Sequence, residues 1–437
     1  MNYEQTIAYL FTKLPLFSKS GAIAYKKDIT NTILLCKETG DPQDKIKTIH
    51  IAGTNGKGST SHMLAAIFQK AGYRTGLYTS PHLKDFRERI KVNGKMISKE
   101  YVTRFAERMR FASEKIEPSF FEFTVVMALS YFEQEKTDIA IIETGLGGRL
   151  DSTNVVTPEL SIITNIGLDH VNILGDTIEK IAYEKAGIIK PNIPVVIGET
   201  LPATRNIFLS KAHECNSPII FAERTYAIAN ANLKNKLLEV ELKSFETDEH
   251  SFFHLDLTGI YQQYNLRTVV TAIDQLKEMG YHLDSLDIKA GLSNTKKLTG
   301  LHGRWEIIHT NPQVILDVAH NEDGIRQMLK QVSLTTYNQL HIIFGIVKDK
   351  DADKVLSLLP ADAHYYFTNA RIPRALPAEE LRDQAKKYHL TGFSFSDVNS
   401  ALLEALDKSS ETDLILVCGS VFVVGEVELA AEQNISG

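Results

Sequence analysis

Cysteine is scarce in this chain, and the little there is has no pattern. Among 437 residues only Cys36, Cys215 and Cys418 occur, widely spaced and without a C-x-x-C pair. That excludes a disulfide framework or a dithiol redox centre as the organising feature, and fits a reducing compartment. Basic residues are not in excess either: 48 Lys and Arg face 54 Asp and Glu, a formal net charge of −6. A nucleic-acid surface would need a concentrated basic face. No segment offers the roughly 18 uninterrupted apolar residues that span a bilayer. The opening MNYEQTIAYLFTKLPLF lacks the basic start and continuous apolar core of a signal peptide. Repeats and low-complexity tracts are absent by eye. The expectation is a cytoplasmic protein with neither membrane nor nucleic-acid partners. Its 43% hydrophobic and 23% charged residues are ordinary for a globular chain, and its length suggests two or three domains at about 150 residues each.

Short apolar runs alternate with helical patterns. IKTIHIA, DIAIIETG, LSIITNIG and PVVIGE read as buried strands bounded by Gly, Asp or Pro, while STSHMLAAIFQKAG and EFTVVMALSYFEQEK read as helices with one apolar face. Strand–helix alternation predicts a parallel sheet covered by helices, with ligands at the carboxyl ends of the strands. Between about Thr225 and Asp256 the rhythm changes. LLEVELKSFETDEHSFFHLDL alternates apolar and polar residues around a charged turn, as an antiparallel ribbon does. A boundary is expected near NTKKLTGLHG, giving domains 1–298 and 299–437. Beyond it VILDVAH, LHIIFGIV, HYYFTNA and LILVCGS predict a second, smaller sheet of five or six strands. The fold class is α/β: an N-terminal P-loop ATPase-like domain with a small antiparallel ribbon, then a Rossmann-like α/β domain.

The most informative stretch is IHIAGTNGKGST, followed by an apolar helix. The usual phosphate loop has four residues between its glycines; here two separate Gly53 from Gly56, and Gly58 intervenes between Lys57 and Ser59. Strand, Gly-rich turn, Lys and helix are the context that lets backbone N–H groups and a helix dipole hold phosphate. Asn55, Gly56, Lys57, Gly58, Ser59 and Thr60 form the candidate ATP loop. Lys57 can bridge the β- and γ-phosphates, and the Ser59 or Thr60 hydroxyl can approach Mg2+. The bland alternative is a Gly-rich turn without ligand.

Other stretches carry chemistry less plainly. Glu143 ends an apolar run, so its carboxylate should emerge beside the loop and suit Mg2+, although strand-end carboxylates commonly face solvent. GLGGRLD permits close backbone approach and supplies Arg149 and Asp151 to a polar substrate. In SFFEFT, Phe120 and Phe121 can stack a flat ring while Glu122 anchors polar edges; a core aromatic pair is the alternative. His170 alone reads as a structural histidine and Lys185 as a surface helix lysine. His320 and Ser420 lie at comparable strand ends.

In order along the chain, AGTNGKGST, TSPHLKDFRERIKVNG, SFFEFT, ETGLGGRLDSTNV, GLDHVNILG, IAYEKAGIIK, LHGRWE, LDVAHN, FGIVKDKD and CGSVFVVGEV resemble the folate branch of the Mur ligase superfamily, the folylpolyglutamate and dihydrofolate synthases. The resemblance implies that Ser80, Glu143 and His170 serve metal sites and that Lys185 is carbamylated. It further implies that Asn265, Arg304 and Asp317 contact ATP, that Ser119 to Glu122 belong to the pterin pocket, and that Leu150, Asp151 and Ser152 contact dihydropteroate. His320 and Ser420 would then reach the reacting centre. Two departures stand out: Val318 where the family commonly has Gly, adding bulk behind Asp317, and His302 where Pro is common.

The same resemblance implies the reaction. ATP's γ-phosphoryl group passes to a substrate carboxylate, and the α-amine of L-glutamate attacks the acyl phosphate to give an amide, ADP and phosphate. The expected acceptors are dihydropteroate and tetrahydrofolate with its glutamate tail, in a monomeric enzyme. Alternatives are the polyglutamate activity alone, a Mur ligase acting on a UDP-linked peptide, or an ATP-gated binding protein without catalysis. The second would need a UDP-binding domain before the loop, and about 50 residues is too short for one.

Overall fold

The computed structural model describes residues 1–15 and 28–428. They fall into two compact units that divide between Leu301 and His302. In the first, eight strands form one sheet: β1 (Thr48–Ala52), β2 (Thr75–Tyr78), β3 (Ile90–Val92), β4 (Lys95–Met96), β5 (Ile139–Glu143), β6 (Leu160–Ile163), β7 (Val195–Ile197) and β8 (Ile219–Phe221). Their order is β4-β3-β2-β5-β1-β6-β7-β8. Six run parallel, and the β3–β4 hairpin adds antiparallel to the edge at β2. Every residue of β1, β5 and β6 is buried, as β-branched runs covered on both faces should be. The chain leaves β1 for β2 on one side and later passes from β5 to β6 on the other side of β1, so the carboxyl end of β1 lies at a topological switch point where open α/β sheets place ligands.

A second, three-stranded antiparallel sheet follows, built from β9 (Tyr226–Lys234), β10 (Leu237–Ser244) and β11 (His250–Leu255) in the order β11-β10-β9. The expected ribbon is its β10–β11 hairpin, and β9 widens it. Alternation along β10 buries Leu238, Val240 and Leu242. These join one apolar cluster with Met63, Leu64, Ile67 and Phe68 of helix Lys57–Lys70 and with Leu266, Val269 and Ile273 of helix Gln262–Glu278. The helix that carries the Gly-rich loop is thereby gripped on two sides. Ten consecutive residues of it, Ser59 to Phe68, are buried.

The second unit is a six-stranded sheet ordered β12-β13-β17-β14-β15-β16, from β12 (Glu306–Thr310), β13 (Gln313–Leu316), β14 (Leu340–Phe344), β15 (His364–Phe367), β16 (Gly392–Ser394) and β17 (Leu414–Cys418). All neighbours are parallel except β12 against β13. Trp305, Ile315, Phe344, Phe367 and Leu416 lie in its core. Its carboxyl edge presents the turns after β13 and β17.

Candidate active site

β1 runs straight into the Gly-rich loop, and the extension of β6 moulds that loop. Thr54 N–H donates to the Asn165 carbonyl (3.0 Å) and Asn55 N–H to Asn165 Oδ1 (2.8 Å). Thr164 Oγ1 donates to the Asn55 carbonyl at 2.6 Å, and Thr54 Oγ1 exchanges bonds with Gly167 at 2.9 and 3.1 Å. Contact is so close at Gly53 that an added β-carbon would sit 1.8 Å from Thr164 Oγ1. Gly56 takes φ +82° at the N-cap of helix Lys57–Lys70, and no side chain caps that helix. First-turn N–H groups have no carbonyl one turn back to bind, so an uncapped start is a ready anion seat.

Lys57 Nζ donates to the carbonyls of Gly53 (2.9 Å) and Thr54 (3.2 Å), holding its ammonium over the loop. Lys185 reaches the same Gly53 carbonyl at 2.9 Å from helix Ile178–Ala186 and is only 4% exposed. A surface lysine it is not. Ser59 is buried and its Oγ accepts from Gln262 Nε2 at 3.1 Å; Thr60 is wholly buried, and its hydroxyl has no partner among the described residues. Gly58, between Lys57 and Ser59, is half-buried. Asn265 closes on the loop as well: a β-carbon on Gly56 would lie 2.2 Å from its Oδ1.

Glu143 ends β5 beside Ile51 of β1, and its buried carboxylate accepts the Ser80 N–H at 3.2 Å. The predicted pair of Ser80 and Glu143 is therefore in contact. His170 adopts φ +50° on the β6 connection, with Nε2 3.9 Å from Asp169 Oδ2. Among the described residues no group of three or more His, Cys, Asp and Glu could hold a metal by itself. One carboxylate with hydroxyls suits Mg2+, which keeps waters and takes remaining ligands from substrate phosphates.

The GLGGRLD loop is organised from beneath. Asp151 is 2% exposed and accepts from Leu146 N (2.7 Å), Thr153 N (2.9 Å) and Thr153 Oγ1 (2.5 Å). Its carboxylate thus shapes the loop, with burial pushing its pKa up; Leu150 beside it is half-buried and Ser152 buried. Because the Thr153 hydroxyl donates to Asp151, it must accept from His50 Nε2 at 2.8 Å, which fixes that imidazole proton. His50, in the middle of β1, is pushed down to about 3 by burial and then by the Lys190 charge. His82 is pushed down to about 3 by burial and by Arg89. An unfolded histidine takes up its proton near 6.5, so these two contribute stability above about pH 6.5 that is lost progressively as pH falls toward about 3. Thermal unfolding midpoints should drop between about pH 7 and about pH 5, with a shallower slope in His50→Gln.

Ser119 and Glu122 form a reciprocal capping box at the start of helix Phe120–Gln134, with Ser119 N–H donating to Glu122 Oε2 at 2.6 Å and Glu122 N–H to Ser119 Oγ at 3.2 Å. The other carboxylate oxygen, Oε1, is buried with no partner among the described residues. The two aromatics separate. Phe120 is a core residue stacked on Phe11 (5.3 Å), edge-on to Phe86 (5.8 Å), with the Arg89 guanidinium over its ring. It has no open face for a ligand, which corrects the expected two-ring platform. Phe121 stays half-buried and packs against Gly145, where a β-carbon would lie 2.4 Å from its Cζ.

In the second unit Asp317 follows β13, buried, and accepts from Trp305 N (3.0 Å) and Ala319 N (2.9 Å). His320 Nδ1 lies 2.9 Å from the Val318 carbonyl, and Ser420, after β17, caps the next turn by accepting from Phe422 N at 3.1 Å. Gly419 N–H donates to the Ala319 carbonyl at 3.0 Å, so Asp317, His320 and Ser420 share one edge. Arg304 is half-buried, its Nη1 donating to the Gly303 carbonyl at 3.3 Å.

Family models match the chain in two places: a Mur ligase middle domain over residues 51–273 and a Mur ligase glutamate ligase domain over residues 303–421. The dihydrofolate synthase/folylpolyglutamate synthase of Bacillus subtilis is 35% identical over 406 residues, 90% of this chain and 92% of that one. This chain is a Mur ligase of the dihydrofolate synthase/folylpolyglutamate synthase family. Among solved structures, Escherichia coli FolC in complex with DHPP and ADP superposes with TM-score 0.83 at 28% identity, covering 97% of this chain and 96% of that one. A bifunctional folylpolyglutamate synthase/dihydrofolate synthase with Mn, AMPPNP and L-glutamate bound gives 0.81 at 27% identity, with 97% coverage of each.

Both departures from the family pattern are absorbed locally in this Mur ligase. Val318 is buried with its N–H on the Gly303 carbonyl at 3.0 Å, and His302 is exposed, its Nδ1 2.7 Å from Glu306 Oε1. Three loop-shaping residues escaped sequence reading: Thr164, Asn165 and Gln262. The signal for the first two was available, since TNIG leaves an apolar run as the Gly-rich loop leaves its own.

Proposed function

We propose that this enzyme uses ATP to join L-glutamate to dihydropteroate and to the glutamate tail of tetrahydrofolate, through an acyl phosphate. The observation that carries the reading is Lys57 and an uncapped helix start at the switch point between β5 and β6, with the Glu143 carboxylate on the adjoining strand. Lys57 would leave the Gly53 and Thr54 carbonyls for the phosphates, and the first-turn N–H groups would seat them. Ser59, Ser80 and Glu143 would hold Mg2+, with His170 serving a second metal site. Bound there, the metal would spread the negative charge that develops during phosphoryl transfer.

Activation precedes amide formation for a chemical reason. A carboxylate is a poor acyl donor, because oxide would have to leave, whereas phosphate departs readily. Asn265, Arg304 and Asp317 are assigned to ATP, and His320 and Ser420 to the reacting centre. Phe121, Glu122 and the Leu150–Ser152 segment are assigned to the pterin, the Glu122 oxygen that has no partner among the described residues being an acceptor for its ring N–H groups. Buried Lys185 touches the loop's first carbonyl, where a CO2 adduct would replace a cation by an anion. Native mass spectrometry should find that adduct, and Lys185→Ala should lose it. Domains 1–298 and 299–437, a monomeric state and a cytoplasmic location complete the proposal.

Phosphate release tests it. With Mg-ATP and glutamate, release should require dihydropteroate or tetrahydrofolate; release driven by a UDP-peptide and by neither pterin would redirect the assignment.

A further inference from the structure

Gln262 carries none of the ligand-binding roles assigned above, yet it is fully buried at the first position of helix Gln262–Glu278 with both ends of its amide committed. Its Nε2 donates to Ser59 Oγ at 3.1 Å and its Oε1 accepts from Asn265 Nδ2 at 2.8 Å. Asn265 Oδ1 in turn sits against Gly56, where only a residue without a β-carbon fits. A buried amide that makes both bonds is a costly thing to leave half-satisfied, so the arrangement is held tightly. A serine hydroxyl carries one hydrogen and two lone pairs. With one lone pair occupied by Gln262, the Ser59 O–H is denied that direction and is left to donate to an anion at the loop, while the second lone pair stays open to a cation.

We infer that Gln262 is a positioning residue: it sets the Ser59 hydroxyl for the triphosphate end of ATP and locks that hydroxyl to Asn265 on the opposite side of Gly56. The inference rests on the phosphate-loop reading and extends it to a residue that touches no phosphate itself. Its effect should therefore appear in nucleotide binding, vanish when Ser59 has no hydroxyl, and spare the pterin.

A double-mutant cycle on the full chain tests this. Affinity for Mg-ATP is titrated without pterin or glutamate in the unsubstituted protein, Gln262→Met, Ser59→Ala and the double variant. Gln262→Met keeps length and volume while removing both hydrogen bonds. The expected weakening is about tenfold in the Ser59 background and less than about twofold in the Ser59→Ala background, the scale of one buried hydrogen bond. The Michaelis constant for tetrahydrofolate should stay within about twofold. Gln262→Glu provides a second variant should the first unfold. Its carboxylate still accepts from Asn265 but draws the Ser59 O–H away from the phosphates, so it should weaken Mg-ATP binding in the Ser59 background only. Equal losses in both backgrounds, or no loss in either variant, would overturn the inference. Failure of the ligase reading would show separately, as pterin-independent phosphate release by the unsubstituted chain.

Discussion

Lys57→Ala is expected to lower kcat by about a thousandfold while leaving the thermal midpoint nearly unchanged, the size of effect seen when one preorganised charge is removed from a phosphoryl-transfer site. The Lys57 side chain is half-exposed, and it donates to the Gly53 and Thr54 carbonyls of its own loop. Neither is a core interaction, so folding should lose little. The γ-phosphoryl group, by contrast, would lose the only cation that the loop itself contributes between Gly53 and Thr60. Lys57→Arg is not a conservative rescue. A planar guanidinium needs more room than a compact ammonium, and activity should remain below about a tenth of the unsubstituted level. Steady-state kinetics beside a thermal melt separates loss of chemistry from loss of fold.

Gly56→Ala should weaken Mg-ATP binding by about a hundredfold. Two costs add. A left-handed backbone at φ +82° costs a residue with a β-carbon about 1–2 kcal/mol. The new methyl would also lie 2.2 Å from Asn265 Oδ1 and push that side chain off Gln262, forfeiting a buried hydrogen bond of about 1 kcal/mol. Together these approach about 3 kcal/mol; the variant's empty loop is expected to relax out of this conformation, so the nucleotide must restore it on binding, and each 1.4 kcal/mol is then about tenfold in affinity. Titration with Mg-ATP measures the loss, and Gly72→Ala is an apt control, since a β-carbon there meets nothing within 4 Å. Its positive φ makes it a matched test of strain without collision.

How much of this could be read from the residues depended on how local the signal was. The strands β1, β5 and β6 are mostly apolar, legible because a strand buried on both faces needs few polar side chains; Thr48, His50 and Ser161 are buried exceptions in β1 and β6. The loop was legible because only Gly-rich backbone between a strand and a helix makes that anion seat. β2, with Gly76 in its four residues, and the two-residue β4 carry too little pattern, and their pairing comes from the sheet around them. Lys185 shows the limit for side chains. Its segment, YEKAGI, looks like an exposed helix end, and only the packing of that helix against the loop buries the ammonium. Phe120 and Phe121 are adjacent and chemically identical, so composition could not tell the core ring from the one beside Gly145. Asp151 and Glu122 were read as ligand contacts from their charge, yet each first satisfies backbone N–H groups, as a buried carboxylate must.

The central claim is that the Lys57 loop delivers a phosphoryl group to a substrate carboxylate before any amide forms. Dihydropteroate whose carboxylate carries oxygen-18 puts that claim to the test, with Mg-ATP and glutamate present and the released phosphate examined by mass spectrometry. Attack by the carboxylate on phosphorus, then cleavage of the acyl carbon–oxygen bond, must move one labelled oxygen into phosphate for each amide made. Labelled phosphate in that proportion is the predicted result; amide formed together with unlabelled phosphate would contradict the account.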